Sequence, residues 1–348
     1  MNLVKFLLLV VILGITACSG GGTNSPSVER NNSGSERGGD DTDTTVEPDP
    51  AAGALLDGNI YFPTSDQITW VYDDGDQVTF LNDVLVRGNA LTVMQHTSAA
   101  MPNQEYFLAD GNVIQYGGLF ASLSGLPGLG SLALEGSVAF HNLQGVYDQV
   151  NDRGQGFTFF ARDADLLDPD GEVLLVGSYY WSSVVGEKTL ITTGQLGTVP
   201  AVELQINIDV ALTYMGFTVQ RVPLVVTSMW LSPGLGVVAR SMGETMVVLD
   251  RAEGLQAPVV FAFDEGDGLA QSPRQLLLDG IPVTDMEPTV VVAYGTSETD
   301  WLDVEFDATG SWRASLSGEE LPAGIHGAIV QITRNDERVD VPVSVLVN

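Results

Sequence analysis

The sequence predicts an all-β protein, mainly antiparallel, and three observations predict it. The first is the run from Val202 to Tyr214. There Val202, Leu204, Ile206, Ile208, Val210, Leu212 and Tyr214 alternate with Glu203, Gln205, Asn207, Asp209, Ala211 and Thr213. A period of two gives such a strand one buried and one wet face. The second is a set of Asp-Gly pairs at Asp57-Gly58, Asp74-Gly75, Asp110-Gly111, Asp170-Gly171 and Asp279-Gly280. They supply the positive φ that tight hairpins need. The third is that no segment beyond the N-terminal apolar run carries a helical stripe.

Residues 1–17 read as a secretory signal. Met1 to Lys5 opens with one positive charge, Phe6 to Leu13 is an unbroken apolar run, and Ile15-Thr16-Ala17 closes it with small residues before Cys18. Ile15-Thr16-Ala17-Cys18 resembles the lipobox of bacterial lipoproteins. The resemblance implies that Cys18 is diacylated and becomes the new N-terminus. It also implies sorting to the outer membrane, because serine rather than aspartate follows the cysteine. Cys18 is the chain's sole cysteine. Once acylated it leaves no thiol for disulfides, thiolate catalysis or metal binding. No later window approaches the eighteen or so apolar residues of a membrane-spanning helix, so the lipid is expected to be the sole anchor.

Residues 18–53 are then the lipidated cysteine and a disordered tether. Ser19 to Ala52 is built mainly of Gly, Ser, Asn, Thr, Asp, Glu and Pro, with Val28 and Val46 its only large apolar residues. Such a segment buries too little to offset the entropy of ordering, and a flexible coil of this length reaches roughly 30 Å.

Residues 54–250 form the antiparallel β domain. A boundary falls at Arg251-Ala252-Glu253-Gly254-Leu255-Gln256-Ala257-Pro258, between the strand runs Thr245 to Leu249 and Val259 to Phe263. The remaining segment, 257–348, has the length of an immunoglobulin-like β-sandwich of about 100 residues. Within it Trp301-Leu302-Asp303-Val304, then Leu321-Pro322-Ala323-Gly324 and a strand, then Val341-Pro342-Val343-Ser344-Val345 follow in order. That order resembles BACON-type and related bacterial immunoglobulin-like modules. It implies the sandwich fold; within it Trp301 reads as a core tryptophan in preference to a sugar-stacking platform.

The larger segment is similar to a β-rich family of bacterial extracytoplasmic lipoproteins. The likeness rests on Ile60-Tyr61-Phe62-Pro63 followed by Thr69-Trp70-Val71-Tyr72, similar to that family's tyrosine-rich first strands, and on Trp230-Leu231-Ser232-Pro233-Gly234-Leu235-Gly236-Val237-Val238-Ala239-Arg240, similar to its penultimate hairpin. It implies a curved antiparallel sheet, with a distant likeness to lipid-carrying half-barrels. Pro233-Gly234 reads as a tight turn leading into a buried strand.

Charge narrows the partners. Against 14 bases stand 45 acids, a formal charge of -31. Such a chain is repelled by phosphate backbones and anionic lipid surfaces, so no nucleic-acid partner and no electrostatic membrane attachment is expected. Its lysines are Lys5 and Lys188 alone, and an acidic, lysine-poor surface stays hydrated in salty surroundings.

Reaction chemistry is sparse. The three histidines, His96, His141 and His326, are far apart and none lies in an H-E-x-x-H arrangement. There is no G-x-S-x-G elbow, and a phosphate-binding glycine loop has no helix to lead into. Carboxylates are too numerous for counting to pick out a glycosidase pair. The acidic stretch Asp163-Ala164-Asp165-Leu166-Leu167-Asp168-Pro169-Asp170-Gly171-Glu172 fails the EF-hand pattern, because Leu166 falls at the first ligand position. No cofactor and no metal is expected. Residues 117–132 are apolar, flexible and free of charge, and read as a loop folded over its own core or as an exposed flap. The expectation is a non-enzymatic binding or scaffolding module, held to the membrane by its lipid, with an envelope protein, a glycan or a lipid as its ligand. A carrier for a lipid-like molecule in an apolar groove and a carboxylate-based polysaccharide hydrolase are the alternatives.

Overall fold

A computed structural model describes residues 54–55 and 59–348, less 87, 99–103, 111–112, 124–133, 148–155, 168–172, 215–216, 243, 264–272, 276, 279–280, 283–287, 296–299, 308–309, 318–320 and 335–336. Every helix or strand among them is a strand. In chain order these are β1 (Ala54–Leu55), β2 (Thr69–Tyr72), β3 (Gln77–Val86), β4 (Asn89–His96), β5 (Gln104–Asp110), β6 (Val113–Leu123), β7 (Leu134–Tyr147), β8 (Gly156–Leu167), β9 (Val173–Thr192), β10 (Thr198–Tyr214) and β11 (Phe217–Ser232). Then follow β12 (Gly236–Met242), β13 (Thr245–Glu253), β14 (Val259–Phe263), β15 (Arg274–Gln275), β16 (Leu277–Leu278), β17 (Ile281–Pro282), β18 (Thr289–Tyr294), β19 (Leu302–Phe306), β20 (Ser311–Leu316), β21 (Gly324–Arg334) and β22 (Glu337–Val347).

Strands β2 to β13 close into a barrel. Each pairs antiparallel with its chain neighbour, and β13 returns to β2 through Leu249↔Tyr72, Arg251↔Val71, Ala252↔Trp70 and Glu253↔Thr69. Closure removes the unpaired edges that an open sheet of this length would expose. The period-two reading holds where side chains are described. Val202, Leu204 and Ile206 are buried, whereas Gln205 and Asn207 are exposed. Pro233-Gly234 is the turn between β11 and β12, with Gly234 at φ 71°, and residues 231–240 are buried throughout.

The C-terminal strands form a second architecture. One sheet runs β1-β18-β21-β22-β14, a smaller one β15-β20-β19, and β16 pairs with β17. Within the larger sheet, β22 is buried on both faces from Val341 to Val347. On β22, Val339, Val341, Val343, Val345 and Val347 enter a core shared with Trp301, Trp312 and Phe261. The opposite face carries Leu346, which packs with the barrel core alongside Ile325 of β21. Val339 to Val347 alternates strictly, valine with Asp340, Pro342, Ser344 and Leu346, and the second set is buried too from Pro342 onward.

Two departures from the sequence reading concern the start of the chain. Ala54 and Leu55, assigned from sequence to the first domain, pair in parallel with Ala293 and Tyr294 of the C-terminal sheet. A two-residue strand shows no period, so sequence cannot say which sheet it joins. The stretch Ile60-Tyr61-Phe62-Pro63 is a turn rather than a strand, closed by Phe62 N donating to the Asn59 carbonyl at 3.1 Å. From that turn Phe62 packs against Phe80 and Phe107 of the barrel, with ring centroids 5.4 and 4.7 Å away.

Candidate functional site: a buried charged cluster

Strand pairing builds one apolar face across the start of the barrel. Trp70 stands opposite Val78, Val78 opposite His96 and Phe80 opposite Met94, and Met94 opposite Glu105. Directly paired residues point to the same side of a sheet, so the His96 imidazole and the Glu105 carboxylate lie among aromatic and aliphatic side chains. Asp76 joins them from the β2–β3 turn. There Gly75, at φ 86°, lets the chain reverse, and Asp76 N donates to Asp74 Oδ1 at 2.9 Å. Arg240 comes from β12, at the end of the run Gly236-Val237-Val238-Ala239.

The four charged groups meet. Arg240 Nη2 donates to Asp76 Oδ2, and the same oxygen lies 2.9 Å from His96 Nδ1. Arg240 Nη1 is 2.8 Å from that imidazole nitrogen. His96 Nε2 faces Glu105 Oε2 at 3.5 Å. Asp76 Oδ1 accepts from Ser98 N at 2.7 Å and Thr97 Oγ1 at 3.2 Å. Tyr116 Oη donates to Glu105 Oε1 at 3.0 Å. The guanidinium carbon of Arg240 sits 4.2 Å from the centre of the Tyr72 ring, a cation–π contact strengthened by burial.

The cluster is sealed. Side-chain exposure is 0% for Asp76, 1% for His96, 5% for Arg240 and 7% for Glu105. Burial alone would raise the carboxyl pKa of Asp76. Hydrogen bonds from His96, Ser98 and Arg240 outweigh it and hold the group well below the usual carboxylate range. Burial likewise pulls the His96 imidazole down, but the bonds to Asp76 and Glu105 reverse this, and its pKa is raised overall. Burial pushes the Tyr116 phenol far up, and the Glu105 charge adds to the effect. These groups are therefore poised as a structural ion cluster, with no exposed acid, base or nucleophile among them. A narrow hollow beside them, lined by Phe62, Pro63, Trp70, Phe80 and Gly236, encloses about 220 Å³ including the part open to solvent.

Of the three histidines singled out in the sequence, His96 joins this cluster. His326 lies on β21, apart from it, and donates from Nε2 to the Pro322 carbonyl at 2.8 Å. His141 is on β7, where its side chain lies outside the described residues. Asp76, Glu105 and Arg240 were missed by sequence reasoning. One signal could have found Arg240, a lone charge closing an apolar run inside a strand. Trp301 is 1% exposed, and its ring meets Tyr294 edge to face at 5.4 Å, as expected of a core residue. Cys18 and the tether lie outside the described residues. So do 168–172 of the acidic stretch and 124–132 of the uncharged segment, whose residues 117–123 belong to β6.

No protein-family profile matches the chain, and no curated protein matches it. Among solved structures, a chain described as a lipoprotein from Parabacteroides distasonis is similar with a TM-score of 0.30 and 13% identity, over 57% of this chain and 100% of that one. An endo-fucoidan hydrolase of glycoside hydrolase family 107 is similar with a TM-score of 0.19 and 12% identity, over 66% of this chain and 38% of that one. Overlaps this weak carry no argument about activity.

Proposed function

We propose that this protein is a lipid-anchored module of the bacterial cell envelope that binds or scaffolds rather than catalyses. The observation that carries the reading is the sealing of the buried cluster of Asp76, His96, Glu105 and Arg240, where no side chain is more than 7% exposed. A catalytic acid or base must reach its substrate, and these groups reach only one another. The anchor is Cys18, at the small-residue end of the apolar signal. The tether after it holds the barrel and an immunoglobulin-like sandwich at the outer membrane, where an envelope protein, a glycan or a lipid is the ligand.

Expression of the full chain in a Gram-negative host with an alkyne fatty acid tests the anchor. Wild type should incorporate label and fractionate with the outer membrane, and Cys18→Ser should do neither. An unlabelled wild type overturns the anchoring. Incubation with envelope and algal polysaccharides should release no new reducing ends, and steady release would overturn the non-catalytic reading.

A further inference from the structure

We infer that the turn Asn59 to Pro63 is a latch that locks the barrel to the larger C-terminal sheet, with the Ile60 side chain as its bolt. The chain crosses the joint between these two bodies twice. It starts at the edge of the sheet, where Ala54 and Leu55 pair with Ala293 and Tyr294 of β18. It enters the barrel at the seam where β2 meets β13, passes through β2 to β13 and returns to the sheet at β14. The second crossing is the short link between Glu253 and Val259. A single link of that kind is a hinge, and relative motion is the default for bodies so joined. A turn fastened to both bodies on the first crossing removes that freedom.

The fastenings are specific. On the barrel side the Ile60 carbonyl accepts from Gly234 N at 2.7 Å, in the turn between β11 and β12, and the Phe62 ring packs on Phe80 and Phe107. On the sheet side Tyr61 Oη donates to the Ile325 carbonyl of β21 at 3.3 Å. Asn59 shapes the turn, since its Oδ1 accepts from Tyr61 N at 2.9 Å. Ile60, Tyr61 and Phe62 are all buried. The bolt enters a cradle that has no side chains of its own. Gly295 N donates to the Gly327 carbonyl at 3.0 Å, so the two glycines lie side by side, one just past β18 and one on β21. A Cβ on Gly295 would lie 2.6 Å from Ile60 Cδ1, and a Cβ on Gly327 would lie 2.9 Å from the same atom. Pro233 of the barrel closes the cradle, with its Cβ 2.3 Å from that second position. Neither glycine adopts a positive φ. What their bare backbone serves is close approach, and the group that approaches is Ile60.

Latched, the two cores unfold together; unlatched, they part at the link between Glu253 and Val259. Hydrogen exchange of the full mature chain, resolved by peptide, reads the difference, because the slowest amides exchange only through the largest unfolding event they share. Val343→Ala supplies the perturbation, since Val343 is fully buried in the C-terminal core and not in the barrel core. In an otherwise wild-type chain it should speed exchange in β10 and β13 by the same factor as in β22. In the Ile60→Ala background it should speed exchange in β22 and leave β10 and β13 unchanged. Acceleration confined to β22 already in the wild-type background overturns the latch. Equal acceleration in both cores of the Ile60→Ala background overturns it too, and makes Ile60 an ordinary core residue. If Ile60→Ala does not fold, Ile60→Val takes its place, because it removes only Cδ1, the atom that reaches both glycines. There a smaller response in the barrel strands than in β22 supports the latch, and an equal one overturns it.

Discussion

Trp70 donates its indole N–H to the backbone carbonyl of Leu235, 2.6 Å away, and ties β2 to the turn before β12 without any strand pairing between them. Tyr72, two residues on, gives its hydroxyl to the Val237 carbonyl at 2.7 Å. Pairing of β12 with β13 begins only at Ala239. The aromatic donors therefore supply the partners that β13 does not, in a segment buried from water.

Trp70→Phe and Tyr72→Phe each keep a ring in the core and remove one donor. Each should cost about 1–3 kcal/mol, the penalty for a buried acceptor left without its partner. Urea denaturation of each variant against wild type measures it. Unchanged midpoints for both would show that the seam does not depend on these bonds.

Arg240→Met should be more damaging, about 3–5 kcal/mol, because it leaves buried carboxylates short of a cation. Arg240→Lys should recover only part of that loss. A single ammonium cannot reproduce a fork that touches both Asp76 and His96 while lying on the Tyr72 ring. Full recovery by lysine would mean that charge alone matters here.

Asp76 sets the acid side of the stability curve. Its folded pKa is depressed, so its contribution is present above the unfolded value, about 3.9, and is lost as pH falls through the folded value. Asp76→Asn should therefore be clearly less stable than wild type at pH 5. The gap between the two should narrow as the pH drops below about 3.9. A gap that stays constant into strong acid would remove Asp76 from the acid response.

Much of this architecture is local enough to read from sequence. The alternation from Val202 to Asn207, the Asp74-Gly75 reversal and the Pro233-Gly234 turn each depend on residues a few positions apart. Barrel closure does not, since it joins Trp70 to Ala252, and no periodicity in either strand names the other. The charged cluster is illegible for the same reason. Asp76, His96, Glu105 and Arg240 come from four separate segments, and in a chain with 45 acids one more carboxylate attracts no notice. What marks them is burial, which only the fold reveals.

Gly234 shows how tightly the barrel meets the larger C-terminal sheet. It sits at φ 71°, and a Cβ there would lie 2.7 Å from both Ile329 Cδ1 and Pro342 Cβ. Gly234→Ala combines about 1–2 kcal/mol of left-handed strain with overpacking of about 1–3 kcal/mol. Its thermal transition should move down, whereas an alanine at Gly75, where no heavy atom lies within 4 Å, meets the strain alone. Equal losses at the two sites would count against the close approach.

Trp301 tests whether the C-terminal core is a packing unit or a ligand platform. Its ring is 1% exposed and shares a core with Tyr294, Trp312, Phe261 and the valines of β22, so no sugar could stack on it without unfolding the sheet pair. Truncation to alanine leaves a large cavity at that centre and should cost about 3–5 kcal/mol. The full chain is the right background, because β1 pairs with β18 and Ile325 and Leu346 pack into the barrel core. The loss should appear as a lower urea midpoint in Trp301→Ala, with Trp301→Phe intermediate. An alanine variant as stable as wild type that had lost affinity for a glycan would reverse the assignment and make Trp301 a binding residue.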